Sequence, residues 1–150
     1  MKVDYFTIPE IKVSYSDNVK PSERAVIKCS RDIANIMAVA LEDCMQQHEE
    51  MYVLFLNRAN RVLGITCVSK GGLSETIVDI IIILQIALKA SASALVISHN
   101  HPSGATRPSQ QDITITEKLK KGCQMIGIQL LDHVIMTEES YTSFADEGLL

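Results

Sequence analysis

Two histidines separated by one residue, His99 and His101, carry the strongest chemical signal in the chain. That spacing puts both side chains on one face of an extended strand, where they could grip one ion. Pro102, Ser103 and Gly104 then force a turn, and Pro108-Ser109 reads as a helix start with Asp112 in its first turn. Two imidazoles and a carboxylate, with no fourth protein ligand nearby, form the donor set of a catalytic zinc that keeps a position open for water. Each piece also has a plain reading. The histidines could be loop residues, and Ser109-x-x-Asp112 is itself a capping-box pattern. Convergence favours the metal, because a strand end, a tight turn and a helix N-terminus bring all three side chains toward one point.

Such a site needs a base, and carboxylates are the usual choice. Glu49 and Glu50 stand just before the apolar run MYVLFL. Alternation places Glu49 on the face of Met51, Val53 and Phe55, and Glu50 on the face of Tyr52 and Leu54. Periodicity leaves both open. Ser109 is either a helix N-cap or a hydroxyl donor to the oxyanion of a tetrahedral intermediate.

The elements that must hold these residues follow from punctuation and period. Val3 to Tyr15, interrupted by Pro9, reads as an edge strand. Pro21-Ser22-Glu23 opens a helix with an apolar stripe from Ala25 to Cys44, ending near Gln47. Met51 to Leu56 and Arg61 to Ser69 flank a turn at Asn57–Asn60 and read as a hairpin. A second helix is expected from Ser74, with Glu75 and Asp79 in its acidic start, to about Ser91. Ala94 to Ser98 is a short buried strand that delivers the histidines. Ser109 to about Gly122 is the next helix, and Ile126 to Met136 a further strand broken by Asp132-His133. The tail from Thr137 carries no clear pattern. This order predicts an α/β (α+β) fold with a mixed sheet flanked by helices, and active sites in such sheets gather at the carboxyl ends of strands.

At 150 residues, a single domain is expected, large enough to bury about 68–70% of its unfolded surface. A net charge of −4 argues against a dominant phosphate-binding surface. Cys29, Cys44, Cys67 and Cys123 are scattered, without a C-x-x-C pair, and read as reduced thiols of a cytoplasmic protein with no secretory leader. The longest apolar run, Ile77 to Leu88, is twelve residues and contains Asp79 and Gln85, too short and polar to span a bilayer.

These residues resemble the metal site of the JAB/MPN (JAMM) metalloprotease superfamily, whose pattern is an upstream Glu, His-x-His-Pro, then Ser-x-x-Asp. The similarity extends to its RadC-like branch through HNHPSG at His99 to Gly104, PS-x-x-D at Pro108 to Asp112, LDHVIM at Leu131 to Met136, Gly71-Gly72, and Y-x-S-F at Tyr141 to Phe144. It covers about residues 45–148. The resemblance implies a cytidine-deaminase-like sheet, Zn2+ held by His99, His101 and Asp112, Glu49 as general acid/base, and Ser109 steadying the oxyanion. It further implies hydrolysis of peptide or isopeptide bonds by a zinc-activated water. Two departures stand out. The helix-hairpin-helix region often found N-terminal in this branch is not expected here, and a Pro-Arg pair of the central helix is replaced by Ile80-Ile81.

Three lookalikes fail. The H-x-E and P-C-x-x-C of nucleobase deaminases are missing, His48-Glu49 lacks the second histidine of H-E-x-x-H, and His99-Asn100-His101 matches HNH nucleases only in its letters. The competing reading is a DNA repair-associated or non-catalytic binding module, for which Lys118, Lys120 and Lys121 offer little charge.

Overall fold

The computed structural model describes residues 9–16, 18–71 and 78–150. Strands β1 (Glu50–Leu56) and β2 (Val62–Lys70) form the expected antiparallel hairpin. Its turn is closed by Asn57 Oδ1, which accepts from Ala59 N at 2.9 Å and Arg61 N at 3.0 Å. Asn60 takes the left-handed conformation (φ 54°), which asparagine tolerates better than most residues.

Strand β3 (Ala94–Asn100) lies antiparallel to β1, β4 (Gln129–Met136) runs parallel to β3, and β5 (Tyr141–Ser143) completes a five-stranded mixed sheet in the order β2-β1-β3-β4-β5. The parallel pair needs a crossover, and helix α3 (Gln110–Met125) supplies it. Helix α1 (Ser30–Ala40) covers one face, where Met37 and Leu41 pack on Leu54, Leu56, Val96 and Val134. Helices α2 (Ile80–Lys89) and α3 cover the other, where Ile83, Ala87, Leu119 and Cys123 pack on Val53, Phe55, Leu95 and Ile97. Because β1 and β3 are buried on both faces, a truncation such as Leu54→Ala or Leu95→Ala would cost about 2–5 kcal/mol.

Several expectations are corrected. The helix expected from Pro21 is only a 3-10 turn, Pro21–Glu23, and α1 begins at Ser30. Residues between are held extended by the hairpin turn, since Ala25 O accepts from Val62 N and Ile27 N donates to Asn60 O, both at 2.9 Å. The helix starts where Asp32 can accept from Lys28 N (2.7 Å) and Cys29 N (3.2 Å). It stops at Ala40 and gives way to turns through Gln47. Those turns are gathered by Asn100, whose amide donates to the carbonyls of Cys44, Met45 and His48 at 3.1, 3.1 and 2.8 Å.

Residues 9–15 are exposed and form no strand, and the rest of the expected edge strand lies outside the described residues. Ser74 and Glu75 also lie outside them. Within the described part, α2 starts at Ile80 with Asp79 as its N-cap, accepting from Ile81 N at 2.9 Å. Ile80 packs against the core, whereas Ile81 is 66% exposed. Asp132-His133 does not break β4, and the tail contains β5. A bulge at Leu131, where Leu95 pairs with Leu130 but Val96 with Asp132, turns both polar side chains into the fold.

Candidate metal centre

Strand β3 carries His99 next to Met51 of β1, and His101 N donates to Met136 O at 2.8 Å, which prolongs the extended backbone by one residue. Both imidazoles therefore reach the same side of the sheet. The chain then reverses through Gly104 (φ 78°), whose N–H donates to His101 O at 3.0 Å, a conformation glycine adopts without strain. Ser109 caps α3. Its Oγ accepts from Asp112 N at 3.1 Å, while Asp112 Oδ2 accepts from Ser109 N at 2.7 Å. The capping box is real, and it does not compete with the other role of Asp112. The box orients the carboxylate so that Oδ1 lies 3.1 Å from His99 Nε2 and Oδ2 lies 3.4 Å from His101 Nε2.

The hydrogen-bond directions decide where the lone pairs point. Thr116 donates to the carbonyl of Asp112 at 2.6 Å, so its oxygen accepts from His133 Nδ1 at 2.6 Å. His133 Nε2 must then accept from His99 Nδ1 at 2.8 Å, which leaves Nε2 of a neutral His99 with a lone pair. His101 Nδ1 donates to Ala105 O at 2.7 Å, leaving its Nε2 likewise. These two acceptor nitrogens are 2.9 Å apart beside a carboxylate. Such convergence of lone pairs requires a proton or a cation between them. Donor atoms of His99, His101 and Asp112 all lie within 4.8 Å of one another, and the set fits a divalent metal.

The charges agree with that geometry. Where protons rather than an ion lie between these groups, burial alone would raise the Asp112 carboxyl, but hydrogen bonds from His101 and His99 hold it well below the usual carboxylate range. The Asp112 hydrogen bond raises His101 above its ordinary value. Complete burial, with His99 beside it, drives His133 far down and keeps it neutral.

Glu49 and Glu50 part company here. Glu49 lines a cleft of about 200 Å³ with Met51, Val78, His99, Gln111, Asp112 and Ile115. Glu50 is buried on the opposite face, bonded to His48 Nε2 at 2.8 Å and Tyr52 Oη at 3.1 Å. Ser109 is exposed at the helix start, and an oxygen that accepts from Asp112 N can still donate its own hydrogen outward.

A protein-family model described as the RadC-like JAB domain matches residues 27–149. The chain belongs to the RadC-like JAB family. Its relatives include a UPF0758 protein of Flavobacterium johnsoniae, 42% identical over 82% of this chain and 53% of the relative. One from Porphyromonas gingivalis is 46% identical over 68% of this chain and 45% of the relative. A third, from Staphylococcus haemolyticus, is 36% identical over 85% and 55%. The chain thus spans about half the length of these curated relatives. Among the described residues, no helix is long and apolar enough to cross a membrane.

Sequence reasoning passed over His133 and Thr116 as working parts of this RadC-like centre. The available signal was a polar pair inside the apolar run Leu130 to Met136. The tail motif has its explanation here too, since Ser143 Oγ donates to Asp132 Oδ2 at 2.6 Å and Phe144 stacks on His133 with ring centroids 4.6 Å apart.

Proposed function

We propose that this RadC-like JAB domain is a zinc-dependent hydrolase of peptide or isopeptide bonds, acting in the cytoplasm. The observation that carries the reading is the convergence of His99 Nε2, His101 Nε2 and the Asp112 carboxylate within 4.8 Å, on a cleft that Glu49 also lines. When bound there, zinc supplies Lewis acidity, lowering the pKa of water from about 15.7 toward about 7 and polarising a carbonyl. His99, His101 and Asp112 would hold the ion, and His99 and Asp112 line the cleft with Glu49. Glu49 accepts the proton of the attacking water and returns it to the nitrogen of the breaking C–N bond, so that a carboxylic acid and an amine leave. Ser109 donates its hydroxyl hydrogen toward the oxyanion of the tetrahedral intermediate.

The test is metal analysis of the purified protein, followed by a cleavage screen of peptide and isopeptide-linked substrates with and without chelator. Chelator-sensitive cleavage lost in Glu49→Gln supports the reading. No cleavage, together with DNA binding that weakens steeply with salt, would replace it with the DNA-associated alternative.

A further inference from the structure

The face of the sheet opposite the His99 site holds a second group of potential ligands. Cys44, His48 and Glu50 offer a thiol sulfur, a ring nitrogen and a carboxylate oxygen within 4.8 Å of one another. Cys67, across the hairpin on β2, brings its sulfur to 3.8 Å from Glu50 Oε2. Cys44 and Glu50 are buried (3% and 6% exposed), while His48 keeps an open edge toward solvent.

We propose that Cys44, His48, Glu50 and Cys67 form a second metal site, closed and four-coordinate, for a zinc-class divalent cation. Two sulfurs, one imidazole nitrogen and one carboxylate oxygen suit borderline-soft Zn2+ rather than Mg2+ or Ca2+. Tetrahedral zinc places such ligand atoms about 3–4 Å apart, so Cys44, His48 and Glu50, already within 4.8 Å of one another, would draw together, and Cys67 would turn its sulfur in from beside Glu50.

The surroundings are built for this set. Asn100 Oδ1 accepts from Glu50 N at 2.8 Å, and its amide holds the carbonyls of Cys44 and His48, so one buried side chain positions three of the four ligands. Tyr52 donates to Glu50 Oε2, steadying the carboxylate from outside. Both thiols and Glu50 would bind as anions, giving a net −1 with a divalent ion. Lys70 Nζ, 3.5 Å from Glu50 Oε1 and largely exposed, offsets that excess. Burial and Glu50 raise both thiols above their ordinary value, so the ion would displace their protons to solvent on binding. A closed ligand set leaves no place for water, and its work would be to fasten the turn after α1 to the hairpin.

Cobalt(II) titration of the full chain under reducing conditions tests this, because only a thiolate site gives sulfur-to-cobalt charge-transfer absorption and the His99 site has no thiol. The expected result is two cobalt ions per chain, with the band retained in the double variant His99→Ala, His101→Ala. Cys44→Ser and Cys67→Ser should each cut the band to about half or less, and the double variant Cys44→Ser, Cys67→Ser should abolish it, with folding checked by circular dichroism. Cys29→Ser should leave it intact. His48→Gln, whose amide can still donate to Glu50, should weaken this site at least tenfold while circular dichroism and thermal melting show the fold retained. No charge-transfer band in the native chain, a band lost with Cys29→Ser, or unchanged affinity in His48→Gln would overturn the proposal.

Discussion

His133 Nε2 lies 2.8 Å from His99 Nδ1, and the Thr116 hydroxyl on its other side obliges it to accept from His99. A fully buried neutral imidazole thereby selects the tautomer in which His99 turns the lone pair of Nε2 toward His101 and Asp112.

Thr116→Val removes the hydroxyl that His133 donates to while keeping its shape. Metal affinity, measured by chelator competition, should fall about 10–100-fold with little change in fold. His133→Ala should lower affinity as well and destabilise the protein by about 2–4 kcal/mol, because it also opens a cavity beneath Phe144. Unchanged affinity in both variants would deny His133 any part in positioning His99.

The two neighbouring glutamates should separate cleanly. Glu49→Gln should keep metal content and thermal stability while turnover falls about 10²–10⁴-fold. Glu50→Gln should lower stability in chemical denaturation by about 1–3 kcal/mol, since it weakens a buried hydrogen-bonded carboxylate. The reverse pattern would exchange the assignments.

Ser109 carries a cap and a proposed donor, and substitution can pull them apart. Ser109→Ala should cost about 1 kcal/mol of stability and lower kcat about 10²–10³-fold. Ser109→Asp caps the helix but cannot donate, so it should recover stability without recovering rate. Recovery of both in Ser109→Asp would leave the residue as a cap alone.

Stability against pH should change sign with the metal. The folded state raises the pKa of His101, so in metal-free protein the His101–Asp112 attraction is complete below the ordinary histidine value of about 6.5. It is lost as pH climbs through the raised value. With metal present, the imidazole must be neutral to bind, and stability should instead rise over that window. Thermal melts between pH 5 and 9 of the native chain and His101→Ala, with and without zinc, check this, and an equal zinc-dependent change of slope in both would mean that His101 is not a ligand.

Where local pattern decided the outcome, the sequence was readable. The strand that delivers His99, the Pro-Ser-Gly turn and the cap at Ser109 are short-range features, and they sufficed to bring His99, His101 and Asp112 together. Alternation likewise put Glu49 and Glu50 on different faces. Choosing the face that borders the histidines required the pairing of Met51 with His99, which no local pattern encodes. The start of α1 misled for the same reason. Pro21-Ser22-Glu23 is a valid helix opening, but the backbone of Ala25 and Ile27 is engaged by the distant hairpin turn. His133 looked like a strand break because its partners, Thr116 and His99, lie on other elements.

The crossover from β3 through α3 to β4 contains His99, His101, Asp112, Thr116 and His133, whereas Glu49 stands at the entrance to the hairpin. Under the proposed function, binding and proton transfer would be housed in separate modules of the chain. Changes at the hairpin would then retune that rate, or extinguish it, and leave behind the convergent His99, His101 and Asp112 set available for other work.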